Sequence, residues 1–202
     1  MRIAVFGGTF DPPHNGHIKL AQFVVDNGYA EHVLFVPAYA PPHKCDMMIS
    51  SFEDRVAMLR LGIGMNEKFT ISLIEHQEQR SPSFTYDTME SLERTYPTDE
   101  LLVMIGYDSL LQLHTWFKGA EIIQRWQLLT YPRAGDLMSD KFLLSDWWSN
   151  EECDILSKSV IDAELLQISS TEIRSSVGDL ASSNLFIAPE IKKYIVDNNL
   201  YR

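Results

Sequence analysis

Little in this chain of 202 residues points to a scaffold stapled by covalent bonds or metal. There are two cysteines, Cys45 and Cys153, in no CxxC spacing. That is too few for a disulfide framework or a structural zinc site. No apolar run approaches the ~20 residues that cross a bilayer. Basic residues are scarce: 17 Lys and Arg stand against 28 Asp and Glu, a formal net charge of −11. A surface of that sign repels polymeric nucleic acid. Neither GxGxxG nor GxxxxGK[ST] occurs, so the two commoner phosphate fingerprints are missing. Internal repeats, low-complexity tracts and a Ser-His-Asp or Cys-His nucleophile arrangement are missing too. The balance argues for a small-molecule site without naming one, and phosphates stay within reach because a helix N-terminus and a few placed cations suffice to bind them.

The composition, 45% hydrophobic, supports one compact domain over residues 1–202, with 164–202 as a small C-terminal helical part of it. The opening MRIAVFGG is too short for a signal peptide and reads as a first strand, so a reducing cytoplasm is the expected setting. Apolar runs at Arg2–Phe6, His32–Val36, Phe69–Ile74, Leu101–Ile105, Gln127–Tyr131 and Ala163–Ile168 read as strands. Helical spacing marks Gly16–Asp26, Tyr86–Arg94, Thr171–Val177 and Pro189–Asn198. Ser50 and Glu53 make a capping-box pattern opening a helix through about Leu61. Ala134–Glu152 fits no element and reads as an insertion. Such alternation predicts an α/β fold, a doubly wound and mostly parallel sheet. Ligands of such sheets sit beyond the carboxyl ends of the strands, so functional residues should fall just after strands.

They do. Gly7-Gly8-Thr9-Phe10-Asp11-Pro12-Pro13-His14-Asn15-Gly16-His17 joins the first strand to the first helix. The glycines let the backbone approach a phosphate, and the helix start aims N–H groups and a positive dipole end at the same place. His14 and His17 are one helical turn apart and can face one ligand. A His-x-x-His pair is also a metal pattern, but only Asp11 is near as a third ligand. Eleven contiguous residues in a strand–turn–helix context favour phosphoryl chemistry. Near the other end, Ile168-Ser169-Ser170-Thr171-Glu172-Ile173-Arg174 offers a helix cap, hydroxyl donors and an Arg one turn along, although by itself it would also suit an ordinary cap with a solvated Arg.

GGTFDPPHNGH resembles the signature of the HxGH nucleotidyltransferase superfamily, and ISSTEIR resembles its second diagnostic element, which implies a Rossmann-like nucleotidyltransferase fold. Within it the chain is similar to the nicotinate mononucleotide adenylyltransferase family. The resemblance runs through Pro37–Lys44, Pro82–Met89, Ile105–Leu110 with Thr115-Trp116, Arg133-Ala134-Gly135 and Asn199–Arg202, and thins between Asp136 and Ala163.

The resemblance implies adenylyl transfer from ATP to nicotinate mononucleotide, with nicotinamide mononucleotide or phosphopantetheine as alternative acceptors. A nucleotide-binding module without catalysis is a reading from a different class. His17 would bind the α-phosphate, with His14, Lys44 and Arg174 assisting. Gly8, Thr9, Phe10, Gly106, Asp108, Ser170 and Thr171 would line the ATP side. Thr85, Trp116 and Arg133 would meet the nicotinate end. Mg²⁺ would travel with ATP, with no protein-held metal. Phe84, Tyr107 and Ala134 depart from the family pattern on or near the acceptor side. Trp147-Trp148 suits packing in the core or between copies, which leaves a homo-oligomer open, better than a stacking platform for nucleic acid.

Overall fold

A computed structural model describes residues 1–41, 49–132, 147–163, 168–175 and 186–201. Five strands make one sheet: β1 (Arg2–Gly8), β2 (His32–Pro37), β3 (Phe69–Ile71), β4 (Glu100–Gly106) and β5 (Gln127–Tyr131). Their order is β3-β2-β1-β4-β5 and every pairing is parallel. The fold is therefore the doubly wound Rossmann-like arrangement that the alternation predicts.

Both faces of the sheet are buried, which is why its strands are apolar at successive positions. Ile3, Val5, Leu101, Val103 and Ile105 face one way, against Met89 and Leu92 of α4 (Thr85–Thr95), Ile122 and Ile123 of α6 (Gly119–Arg125) and Leu156 of α7 (Asn150–Lys158). Ala4, Phe6, Leu102 and Met104 face the other way, against Leu20, Ala21, Val24 and Val25 of α1 (Asn15–Asp26) and Leu59 of α2 (Phe52–Ile63). A third cluster joins Met58 of α2 to Ile173 of α8 (Ser170–Ser175) and to Ile191 and Ile195 of α9 (Pro189–Asp197). Among the described residues no helix is long and apolar enough to cross a membrane.

Several local expectations are corrected. The cap of α2 is Ser51, whose hydroxyl accepts from the Asp54 N–H at 3.0 Å, and not Ser50. Strand β3 stops at Ile71: the Ser72 N–H donates to Phe35 O, and Ile74–Gln77 then wind the short helix α3. The end of the expected insertion opens α7, with Ser149 and Glu152 forming a capping box. Of the expected last strand Ala163–Ile168, residues 164–167 lie outside the described residues; shortly before it, an isolated parallel bridge joins Val160 to Thr130 of β5. The tryptophan pair divides. Trp148 packs on the core, while Trp147 is 68% exposed and stacks on His114 with centroids 4.8 Å apart.

Candidate active site

The winding reverses between β1 and β4, so the crevice of this sheet lies beyond their carboxyl ends. An open cleft of about 320 Å³ is found there. Gly8 and Thr9 from the end of β1 and Gly106 from the end of β4 line it, together with Thr85 and Trp116. The structure thus brings together residues from both substrate sides of the sequence reading. Lys44 and Arg133 lie outside the described residues.

The loop after β1 is shaped by packing beneath it. Phe10 adopts φ 50°, a left-handed conformation that costs an L-residue roughly 1–2 kcal/mol. Its ring is 2% exposed, between Phe6 at 5.6 Å and Phe35 at 5.8 Å. Burying it returns about 1.5–3 kcal/mol, enough to hold the turn. A Cβ on Gly8 would come 3.0 Å from that ring, so any larger residue would press on the Phe10 packing. The Phe10 side chain is consequently a buttress, and only its backbone can face a ligand.

Two imidazoles stand at the start of α1. The His14 and His17 rings are stacked, with centroids 3.6 Å apart and planes 25° apart. The His14 N–H donates to His17 Nδ1 at 3.1 Å. With Nδ1 accepting, a neutral His17 carries its proton on Nε2 and presents it as a donor. Phe10 contacts the His17 ring edge-on at 5.1 Å and fixes its tilt.

Gly16 leaves room for this pair. An added Cβ would lie 2.9 Å from His14 Nδ1 and 3.0 Å from its Cε1. Gly16→Ala should shift the melting temperature by only a few degrees, since the helix propensity gained, up to about 1 kcal/mol, is offset by the cost of pushing the buried His14 ring aside. It should nevertheless lower kcat/KM by about 10²-fold, the cost of a 1 Å misplacement. Melting curves and initial rates on the same preparation check this, and unchanged rates would remove His14 from the site.

The segment Ile168–Arg174 reaches the same loop. Ser169 caps α8, accepting from the Glu172 N–H at 3.1 Å, and Glu172 accepts from the Ser169 N–H in return. Ser170 Oγ donates to Pro12 O at 2.9 Å. Arg174 Nη1 donates to Asp11 O at 2.7 Å, and its Nη2 donates to Thr171 Oγ1 at 3.2 Å. Asp108, on α5 (Tyr107–Leu111) directly after β4, is exposed.

The model of the cytidylyltransferase-like family matches residues 5–176. The chain belongs to that family. It is 33% identical over 200 residues to the nicotinate-nucleotide adenylyltransferase of Bacillus subtilis (strain 168), covering 99% of this chain and 98% of that one. A protein of Caldicellulosiruptor bescii named "Probable nicotinate-nucleotide adenylyltransferase" is 35% identical over 202 residues, all of both chains. A solved structure of Plasmodium falciparum nicotinic acid mononucleotide adenylyltransferase complexed with NaAD superposes with a TM-score of 0.77 over 99% of this chain and 97% of that one. At 20% identity that likeness speaks for the fold.

On this cytidylyltransferase-like frame the end of the cleft near Thr85 and Trp116 shows its construction. Thr85 is the first residue of α4, and Trp116 follows a 3₁₀ turn at Leu113–Thr115. Glu75 is 6% exposed on the cleft wall, accepting from the Tyr39 N–H at 3.0 Å and from Thr88 Oγ1 at 2.8 Å. It ties the loop after β2 to α4. Of the departures from the family pattern, Phe84 lines the cleft and stacks on Phe117 at 4.9 Å. Tyr107 is a core residue, 4% exposed, and Ala134 lies outside the described residues.

Sequence reasoning missed Glu75 and, more importantly, Arg55. Arg55 is 1% exposed and donates to Thr9 O at 2.8 Å and Ser50 O at 3.2 Å. Burial lowers its pKa, opposed by the nearby Asp11, Tyr201, Glu75 and Glu53. A signal was there to be read, since Arg55 shares the buried face of α2 with Phe52, Val56 and Leu59. An arginine on an apolar stripe calls for buried partners.

Proposed function

We propose that this protein transfers the adenylyl group of ATP to nicotinate mononucleotide, giving nicotinate adenine dinucleotide and pyrophosphate. The observation that carries the reading is the stacked His14–His17 pair at the N-terminus of α1, at the end of the loop whose Gly8 and Thr9 line the cleft. A 5′-phosphate oxygen of the acceptor attacks the α-phosphorus in line, forming the new P–O bond. The bond from that phosphorus to the bridging oxygen breaks, and its electron pair leaves with pyrophosphate. The attacking group is already an anion, so positioning and charge stabilisation are what the protein supplies.

His17 Nε2–H donates to an α-phosphate oxygen as charge develops, with His14 beside it. Arg174 and Lys44 hold the triphosphate; a guanidinium has five N–H donors, so its bonds to Asp11 O and Thr171 do not exhaust it. The backbone of Gly8, Thr9 and Phe10 lies along the nucleotide, and Ser170 and Thr171 approach from α8. Asp108 accepts from ribose hydroxyls at the end of β4, where Gly106 leaves the cleft open. Trp116 stacks on the pyridine ring, and Thr85, aided by Arg133, receives the carboxylate at the start of α4. Mg²⁺ arrives on the triphosphate, as its reluctance to shed water favours.

Pyrophosphate release from ATP and Mg²⁺, followed with nicotinate mononucleotide, nicotinamide mononucleotide and phosphopantetheine in parallel, tests the reading. The nicotinate acceptor is expected to give the highest kcat/KM. Preference for another acceptor would overturn the roles of Thr85, Trp116 and Arg133. ATP binding without release in any arm would overturn transfer itself.

A further inference from the structure

The nucleotide loop is clamped from below by a group that the reaction scheme leaves unused. Asp11 lies between Thr9 and His14 and is 1% exposed. Its Oδ1 accepts from Tyr201 Oη at 2.6 Å and its Oδ2 from the Ser50 N–H at 3.3 Å. Tyr201 comes from a turn after α9, 190 positions away in sequence. Two non-glycine residues of that turn, Asn199 at φ 51° and Tyr201 at φ 65°, are left-handed. Leu200 N–H donates to Ile195 O at 3.0 Å and closes the turn. A left-handed tyrosine costs roughly 1–2 kcal/mol, so its place against Asp11 is held by what it contacts.

We propose that Tyr201 is a positioning residue for the nucleotide, acting through Asp11 on the loop that presents Thr9, His14 and His17. This rests on the reading of that loop as the ATP site. The ring itself is packed with the α2–α8–α9 cluster, a contact that phenylalanine would keep. The hydroxyl adds something else: it supplies a donor to a buried carboxylate, which is costly to leave short of one. Burial, and then the bond to Asp11, raise the Tyr201 pKa, so the hydroxyl remains protonated as a donor. The backbone of Asp11 is held as well: Arg174 donates to the Asp11 carbonyl and Ser170 to the neighbouring Pro12 carbonyl, so a shift of the loop at Asp11 would carry both contacts with it. One hydroxyl therefore sets the loop and the two side chains of α8 together.

The test is steady-state kinetics of Tyr201→Phe with both substrates varied. KM for ATP should rise on the order of tenfold, the effect of leaving one buried acceptor without its donor, while KM for nicotinate mononucleotide stays as in the wild type. A residue that only held the fold would lower the folded fraction, reducing apparent kcat with both KM values unchanged. That result, or equal rises in both, would overturn the proposal. Ser50→Ala trims the hydroxyl beside that of Tyr201 while keeping the tyrosine, and should show a smaller rise confined to ATP. If Tyr201→Phe does not fold, Ser50→Ala decides: no ATP-specific change would refute the role. The wild-type enzyme is the control. No turnover by it would overturn the transfer reading, whereas active wild type with an unchanged ATP KM in the variants overturns only the role of Tyr201.

Discussion

Replacing His17 with alanine is expected to lower kcat by about 10²–10³-fold while the melting temperature stays within a few degrees of the wild type. The magnitude is that of removing one donor aimed at developing charge, about 3–4 kcal/mol of transition-state stabilisation. The ring is only partly buried, on the first turn of α1, and its contacts are with Phe6, Phe10 and His14 at the rim of the core. Little packing is lost with it. KM for ATP should change far less than kcat, because the donor meets its charge chiefly as pyrophosphate departs. An alanine variant within threefold of wild-type kcat would show that another group carries the α-phosphate.

The second large effect concerns stability. Arg55→Met removes a buried cation while keeping much of its volume. Thr9 O and Ser50 O then lose charged donors, and Asp11 loses the positive charge that partly balances its buried carboxylate. Hydrogen bonds to charged groups contribute about 1.5–3 kcal/mol each, and uncovering a buried charge costs about 3–5 kcal/mol. For a chain of this length, a loss of about 3–5 kcal/mol lowers the melting temperature by roughly 10 °C or more. Differential scanning calorimetry measures it. A shift under 3 °C would mean that water replaces the guanidinium at little cost, and that the loop after β1 is held by its other contacts alone.

These two residues also show how far the sequence could be read. His17 was visible because its whole context is contiguous: strand, glycine turn and helix start fall within eleven residues, and local rules govern all of them. The sheet was visible for a similar reason, since strands buried on both faces leave short uninterrupted apolar runs. Arg55 was hidden because its meaning depends on Thr9, 46 positions away. Tyr201 was seen only as part of a familiar ending, with nothing local to mark its contact with Asp11. The error at Ser50 is of another kind. Ser50 and Ser51 are adjacent, each followed three residues later by an acid, and only the course of the chain decides which one caps. The early end of β3 was equally undecidable, because Leu73 and Ile74 continue the apolar run into a helix.

Strand β1 has a history as well as a position. Its pairing with β2 joins residues about 30 apart, whereas its pairing with β4 spans 98, from Arg2 to Glu100. As the chain emerges from the ribosome, one edge of β1 can be covered early. The other must wait until β4 has been made, carrying Ile3 to Phe6 as an open apolar strand in the meantime. Docking of β4 closes that edge and, in the same event, creates the crevice at the strand ends. The central strand therefore loses its last open edge, and the cleft takes shape, at one step of folding.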